Sequence, residues 1–413
     1  MKSVRVLGMI MAGGKGERLM PLTAVRSKPA VPFGGKYRIV DFVLSNFVNS
    51  GLSAMYVLVQ YKSQSLIEHL RESWRIGGRL RQHFITVVPP QMRSREGWYE
   101  GTADAVYQNL NLIEDFGPGL VAVFGADHIY RMDLTHMIDF HLETEADVTV
   151  AALPVPVEEA SGFGIVEVDR SQRVVGFEEK PKRPKPMPQD PSRAFSSMGN
   201  YLFRTDLLIR LLERDASRPG SHDFGRNIIP ELIGTHRVFA YDFLRNRVPG
   251  VKPHEEPGYW RDVGTLDAYW RANMDLLGER PVFDLRNAEW PILAGTYDGP
   301  MASVVRSELD EAMVGQGCRI VEAQVRRSVI GRGVHIEPGA LVEDSVILDG
   351  VHIGANSRLR RVIADRFSSV PADRDIGSDT GAADGSCHVS PSGLVVIPKE
   401  AVAGERARLR QVS

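Results

Sequence analysis

Short, nearly continuous apolar runs alternate with longer stretches of helical period through about the first 270 residues. The runs at 4–11, 54–60, 120–124, 148–153, 165–168, 198–203 and 238–241 read as strands. They lack a regular polar alternation, which predicts a sheet covered on both faces. Residues 37–49 carry Ile39, Phe42, Val43 and Phe47 on one face and stop before Gly51, so a helix is predicted there with a glycine to end it. Stretches 103–115 and 133–144 have the same character. Strand and helix in alternation imply an α/β domain with a mostly parallel sheet.

Two proline-rich interruptions punctuate this pattern. Residues 180–191 hold Pro181, Pro184, Pro186, Pro188 and Pro191 and read as a loop. Residues 279–300, with Pro281, Pro291 and Pro300, read as a connector. Beyond Ser303 a short repeat takes over. Gly333-Val334-His335-Ile336 returns as Gly350-Val351-His352-Ile353, and Ser328-Val329-Ile330 returns as Ser345-Val346-Ile347, both at a step of 17 residues. Within a step Ile330, Ile336 and Val342 lie six apart, as do Ile347, Ile353 and Leu359. An apolar residue at every sixth position predicts a three-sided parallel β-helix, one corner shortened. The expected division is 1–278, a linker 279–302 and a repeat domain 303–413. The tail after Arg366 loses the repeat and takes no assignment.

Composition narrows the classes of function. At 413 residues, two domains are the natural expectation. Lysine and arginine number 50 against 52 acidic residues, a formal charge of −2, so no nucleic-acid footprint is expected. Cys318 and Cys387 are too few for a disulfide framework or a four-ligand zinc site. The apolar start is interrupted by Arg5 and runs into Gly13-Gly14-Lys15-Gly16-Glu17-Arg18, unlike a signal peptide. No stretch reaches the roughly 20 apolar residues of a membrane span. A soluble, cytoplasmic protein is expected.

That glycine-rich segment follows the first strand directly. Glycines let the backbone turn tightly and bring N–H groups against phosphate oxygens, and Lys15 and Arg18 add charge. The spacing fits neither a Walker loop nor a dinucleotide fingerprint. A plain structural turn remains an alternative for the loop alone. Further motifs follow: Ser27-Lys28-Pro29-Ala30-Val31-Pro32-Phe33-Gly34-Gly35-Lys36-Tyr37-Arg38, Asp41-Phe42-Val43-Leu44-Ser45-Asn46, Trp98-Tyr99-Glu100-Gly101-Thr102, Gly125-Ala126-Asp127-His128, Phe177-Glu178-Glu179-Lys180-Pro181 and Trp260-Arg261-Asp262-Val263-Gly264-Thr265. Together they resemble the sugar-nucleotide pyrophosphorylases, and within them the bacterial ADP-glucose pyrophosphorylases, over nearly the whole chain. The resemblance implies a Rossmann-like nucleotidyltransferase domain with a mostly parallel mixed sheet, then a left-handed parallel β-helix.

The reaction it implies joins glucose 1-phosphate and ATP to give ADP-glucose and pyrophosphate, for glycogen synthesis. Two polyanions must meet, so cations and fixed donors matter more than an acid or base. Asp127 sits just past the 120–124 run, where an α/β sheet presents its ligands, and suits Mg²⁺; a capping or turn aspartate is the alternative. Asp262 matches the family's second metal aspartate, and otherwise reads as a cap for a helix starting near Leu266. Gly13, Gly14, Lys15, Gly16, Arg18 and Lys28 are expected to bind ATP, with Asp127, Arg18 and Lys28 catalytic. Lys180 alone would read as solvated surface. The resemblance gives it the sugar phosphate, with Glu179 beside it on the glucose hydroxyls. Tyr99, Gly164, Ser197 and, more weakly, Asp223 match the same subsite.

One departure concerns control. The family answers to metabolites near the domain junction, and an activator lysine of its enteric members is replaced here by Val25. A monophosphate such as fructose 6-phosphate is therefore the expected activator, with Arg26, Arg38, Arg406, Arg408 and Arg410 available to it or simply solvated. A homotetramer is expected from the resemblance. Three rival readings stay open: a uridylyl- or thymidylyltransferase, a catalytically silent regulatory subunit, and a β-helical acyltransferase using His335 or His352.

Overall fold

The computed structural model describes residues 4–74, 83–91, 97–377 and 387–399. Val6–Met11 forms a central strand whose six residues are almost wholly buried, paired in parallel with Ala54–Leu58 on one side and Leu120–Gly125 on the other. Phe84–Val88 extends the parallel half. The other half is organised by the long strand Arg193–Arg204, which runs antiparallel to its neighbours. One edge of it is taken by Val148–Pro156; the opposite edge is shared between Gly164–Val168 and Leu120–Gly125. A register break between Ser197 and Tyr201 lets one strand serve both partners. Val174–Glu179 and Val238–Asp242 complete a nine-stranded mixed sheet. Two apolar clusters form its two covered faces, as the unbroken apolar runs require.

Helix Ile39–Asn49 begins two residues later than its apolar period, where the Asp41 carboxylate accepts from the Arg38 amide just before the first turn. The single helix read over 103–115 is two, Thr102–Tyr107 and Leu110–Phe116. Asn109 sits at the break, its side chain donating to the Ala105 carbonyl and the Tyr99 hydroxyl. Helices Gln64–Ser73 and Thr205–Ala216 are further elements that the apolar pattern left unassigned.

Beyond the connector the chain winds into a parallel β-helix of three sheets. The sequence repeat appears as pairing in space: Ile336 lies on Ile353 and Ile330 on Ile347. Their side chains fill the coil interior with Ile320, Val325, Val342 and Leu359. After Arg366, Ser369–Val370 and Asp375–Ile376 continue the coil, and the hairpin of His388–Val389 with Val395–Ile397 closes one sheet. The β-helix and the mixed-sheet unit share one apolar cluster, in which Val346, Leu348, Ile363 and Val396 meet Leu22, Phe42 and Tyr269. Among the described residues no helix is long and apolar enough to cross a membrane.

Candidate active site

The loop from Gly13 to Arg18 leaves the C-terminal end of the central strand. It is held by the Ala12 amide on the Leu58 carbonyl and by the Thr23 hydroxyl on the Gly16 carbonyl at 2.8 Å. Gly14, Lys15 and Arg18 are exposed, so backbone and cations face an approaching ligand. Asp127 follows the neighbouring parallel strand, and the same chain then forms His128–Tyr130, which pairs antiparallel with Trp260–Asp262. That pairing sets His128 opposite Asp262 and brings together two aspartates far apart in sequence.

Lys28 lies between them. Its side chain is 7% exposed, and its ammonium donates to Asp127 Oδ2 at 3.1 Å and to Asp262 Oδ1 at 2.8 Å. Arg18 stands 3.8 Å from the other oxygen of Asp262, and His128 Nε2 lies 3.5 Å from Asp127 Oδ1. Burial alone would lower the Lys28 pKa, yet the two carboxylates outweigh it and leave it raised. Burial would likewise raise the Asp127 carboxyl; His128 and Lys28 outweigh it and hold Asp127 well below the usual carboxylate range. Asp127 is thus ionised at neutral pH. Asp127, His128 and Asp262 each offer a ligand atom, all within 4.8 Å of one another, a donor set that fits a divalent cation. Asp262 is not the cap of the following helix: Thr265 fills that place, its hydroxyl accepting from the Ala268 amide at 3.2 Å. Gly264 permits the crowding here, since a Cβ would sit 2.9 Å from both Arg18 Nη2 and Asp262 Oδ1.

Gly164, Glu179 and Lys180 form a second group. Glu179 pairs with Gly164 across two strands, and a Cβ on Gly164 would lie 2.8 Å from Glu179 Oε2. Lys180 takes φ of +52°, crowded for an L side chain, and its half-exposed ammonium is 3.6 Å from Glu179. Its amide donates to the Phe163 carbonyl. The Phe163 ring packs on Trp260 at 5.4 Å, and Trp260 packs on His128 at 5.0 Å, so an aromatic row links the Lys180 turn to the aspartate pair. Ser197 lies at the register break of the long strand, its hydroxyl accepting from the Gly199 amide.

Other expected residues are placed differently. The Tyr99 hydroxyl accepts from Asn109 and its carbonyl accepts from Gln60, so the side chain belongs to the core. Asp223 caps the turn Phe224–Ile228, accepting from two backbone amides and from the Thr102 hydroxyl. Arg26, read as open to a metabolite, is instead buried, its guanidinium 2.7 Å from Asp365 of the β-helix and 3.2 Å from the Leu22 carbonyl. Arg38 does line a cavity of about 540 Å³ between the two units, where Lys36, His69, Arg332 and Arg366 stand with the acidic Glu72, Asp298 and Asp349. Arg406, Arg408 and Arg410 lie outside the described residues. The reading by motif gave His128, Trp260 and Phe163 no role. His128 and Trp260 stand inside quoted motifs, but only the strand pairing brings the three rings into one row. His335 is exposed and His352 pairs with Glu337 at 2.8 Å, a surface role for both.

Comparison with known proteins agrees with this geometry. Residues 7–279 match the Nucleotidyl transferase family, and 301–397 match the GlmU-like C-terminal hexapeptide family, the repeat of a left-handed parallel β-helix. A glucose-1-phosphate adenylyltransferase of Thermodesulfovibrio yellowstonii is 50% identical over 96% of this chain and 97% of its own length. Proteins of the same name from Thermus thermophilus and Photobacterium profundum are 50% and 47% identical, each over 97% of this chain and 99% of their own. With the loop, the aspartate pair and the lysines all present, the chain belongs to the glucose-1-phosphate adenylyltransferases of the nucleotidyl transferase family.

Proposed function

We infer that this enzyme transfers the adenylyl group of ATP to α-D-glucose 1-phosphate, giving ADP-glucose and pyrophosphate. The observation that carries the reading is the Lys28 ammonium between Asp127 and Asp262, beside Arg18 at the end of the glycine-rich loop. A phosphate oxygen of the sugar attacks the α-phosphorus in line, and pyrophosphate leaves carrying the bond's electron pair. The attacking oxygen is already ionised at neutral pH, so no side chain needs to remove a proton. The backbone of Gly13–Gly16, with Lys15, Arg18 and Lys28, grips the triphosphate and offsets charge building on the leaving group. Asp127 and Asp262 would hold Mg²⁺, which when bound supplies Lewis-acid stabilisation of phosphoryl oxygens. Lys180 binds the sugar phosphate as a point charge, and Glu179 accepts from glucose hydroxyls, with Gly164 and Ser197 alongside. Tyr99 and Asp223 act behind that subsite, through the loop and turn they brace.

The choice of adenine follows the relatives rather than any spacing in the loop. Activation by an anionic metabolite, a sugar monophosphate in this reading, is supported by Lys36, Arg38, Arg332 and Arg366, which outnumber Glu72, Asp298 and Asp349 in the cavity between the units. Assembly as a homotetramer is supported by the β-helix's open end. There Val304 and Leu309, partners of the buried Ile320 and Val325, are 43% and 40% exposed. A grid of ATP, UTP and dTTP against sugar 1-phosphates, followed by pyrophosphate release with and without candidate activators, tests the whole reading. Preferred turnover of UTP or dTTP would replace the adenylyl assignment.

A further inference from the structure

Arg26 and Lys28 are separated by one residue, and their side chains make contacts of very different kinds. Arg26 reaches the β-helix, where its guanidinium meets Asp365; the two side chains are 4% and 2% exposed. Asp365 is itself fixed, its amide on the Ile397 carbonyl and its carboxylate accepting from the Arg366 amide. Lys28 reaches the aspartate pair. The segment between is stiff. Ser27 is fully buried with its amide on the Lys62 carbonyl, and Lys28–Ala30 is a single turn containing Pro29. A buried ion pair adds little net stability over apolar residues of the same size, so stability alone gives weak reason for one here. A charge pair does set direction and register, which apolar contact does not.

We propose that Arg26 and Asp365 form a positioning pair for the reaction: by fastening the start of this segment to the β-helix, they set where the Lys28 ammonium stands between Asp127 and Asp262. The proposal rests on the adenylyl-transfer reading for the ligand that Lys28 meets. Through this pair the β-helix acts on the triphosphate half of the site and not on the Lys180 half. A displacement of the β-helix is transmitted over three residues.

The test is a double-mutant cycle read by ATP affinity, measured calorimetrically with Mg²⁺ so that no turnover is needed. Arg26→Met should weaken ATP binding about tenfold while glucose 1-phosphate affinity changes less than about twofold. In a Lys28→Met background the same change should have no further effect, because the pair acts through Lys28. Arg26→Lys, which can still meet Asp365, should recover most of the loss. If Arg26→Met does not fold, the apolar pair Arg26→Met with Asp365→Leu replaces it, with the same losses expected. ATP affinity that stays unchanged, losses that multiply with Lys28→Met, or equal losses for both ligands would each overturn the proposal. Failure of the wild-type chain to form ADP-glucose would overturn the functional reading instead, a result separate from the binding cycle.

Discussion

Lys28 holds two carboxylates that would otherwise repel each other, and each neighbour of that triad has a separable task. Asp127→Asn keeps the shape but removes a charge that pairs with Lys28 and that the proposed metal site would use. It should lower kcat at least about a hundredfold while leaving the KM for glucose 1-phosphate nearly unchanged. Steady-state kinetics would show it, and near-normal turnover would remove Asp127 from the proposed metal site. Lys180→Gln should do the reverse, raising the KM for glucose 1-phosphate about tenfold with a smaller change in kcat. The candidates that the fold brings together, Lys28 with Asp127 and Asp262 and Gly164 with Glu179 and Lys180, could be picked out in the sequence because they lie in short motifs. What spacing could not convey was the use of each polar atom. Asp223 and Arg26 are polar and well placed in the chain, yet one is consumed by a cap and the other by a buried partner. Asp262 is close enough in sequence to the next helix to cap it, but Thr265, three residues on, takes that place.

Elements bring these residues together, and their stability has its own signature. His141, on the helix Leu134–Glu143, is buried with Nδ1 on the Thr149 hydroxyl, and burial lowers its pKa from 6.5 to about 4. The folded state therefore favours the neutral ring. The His141 contribution is fully present above pH 6.5, is lost as pH falls toward about 4, and does not change further below. Across that window it should cost up to about 1.4 kcal/mol per pH unit, and His141→Asn should flatten the slope in denaturant melts. In the β-helix, Ile336 packs between coils with no exposed face, so Ile336→Ala should cost about 2–5 kcal/mol. Strands and coils were readable from apolar runs and the 17-residue return. Helix Gln64–Ser73 buries only Leu66 and Leu70, too few apolar positions to stand out, and the break at Asn109 depends on a side chain bonded across to Tyr99.

At the scale of the molecule, two units of different architecture share one apolar cluster and enclose a cavity lined by charges of both signs. The two architectures were legible because their apolar periods differ; the cavity was not, since Lys36 and Arg332 are brought together only by docking. Arg38→Ala should reduce the ratio of activated to basal rate toward one, measured with fructose 6-phosphate and other sugar phosphates. An unchanged ratio would place the activator elsewhere. Transfer of the adenylyl group is tested most directly by following the phosphorus atoms of ATP. With α-³²P-ATP, glucose 1-phosphate and Mg²⁺, the label should appear in ADP-glucose, and with γ-³²P-ATP it should appear only in pyrophosphate. Label from the γ-position in a sugar product, or no α-label in a sugar nucleotide, would contradict the account.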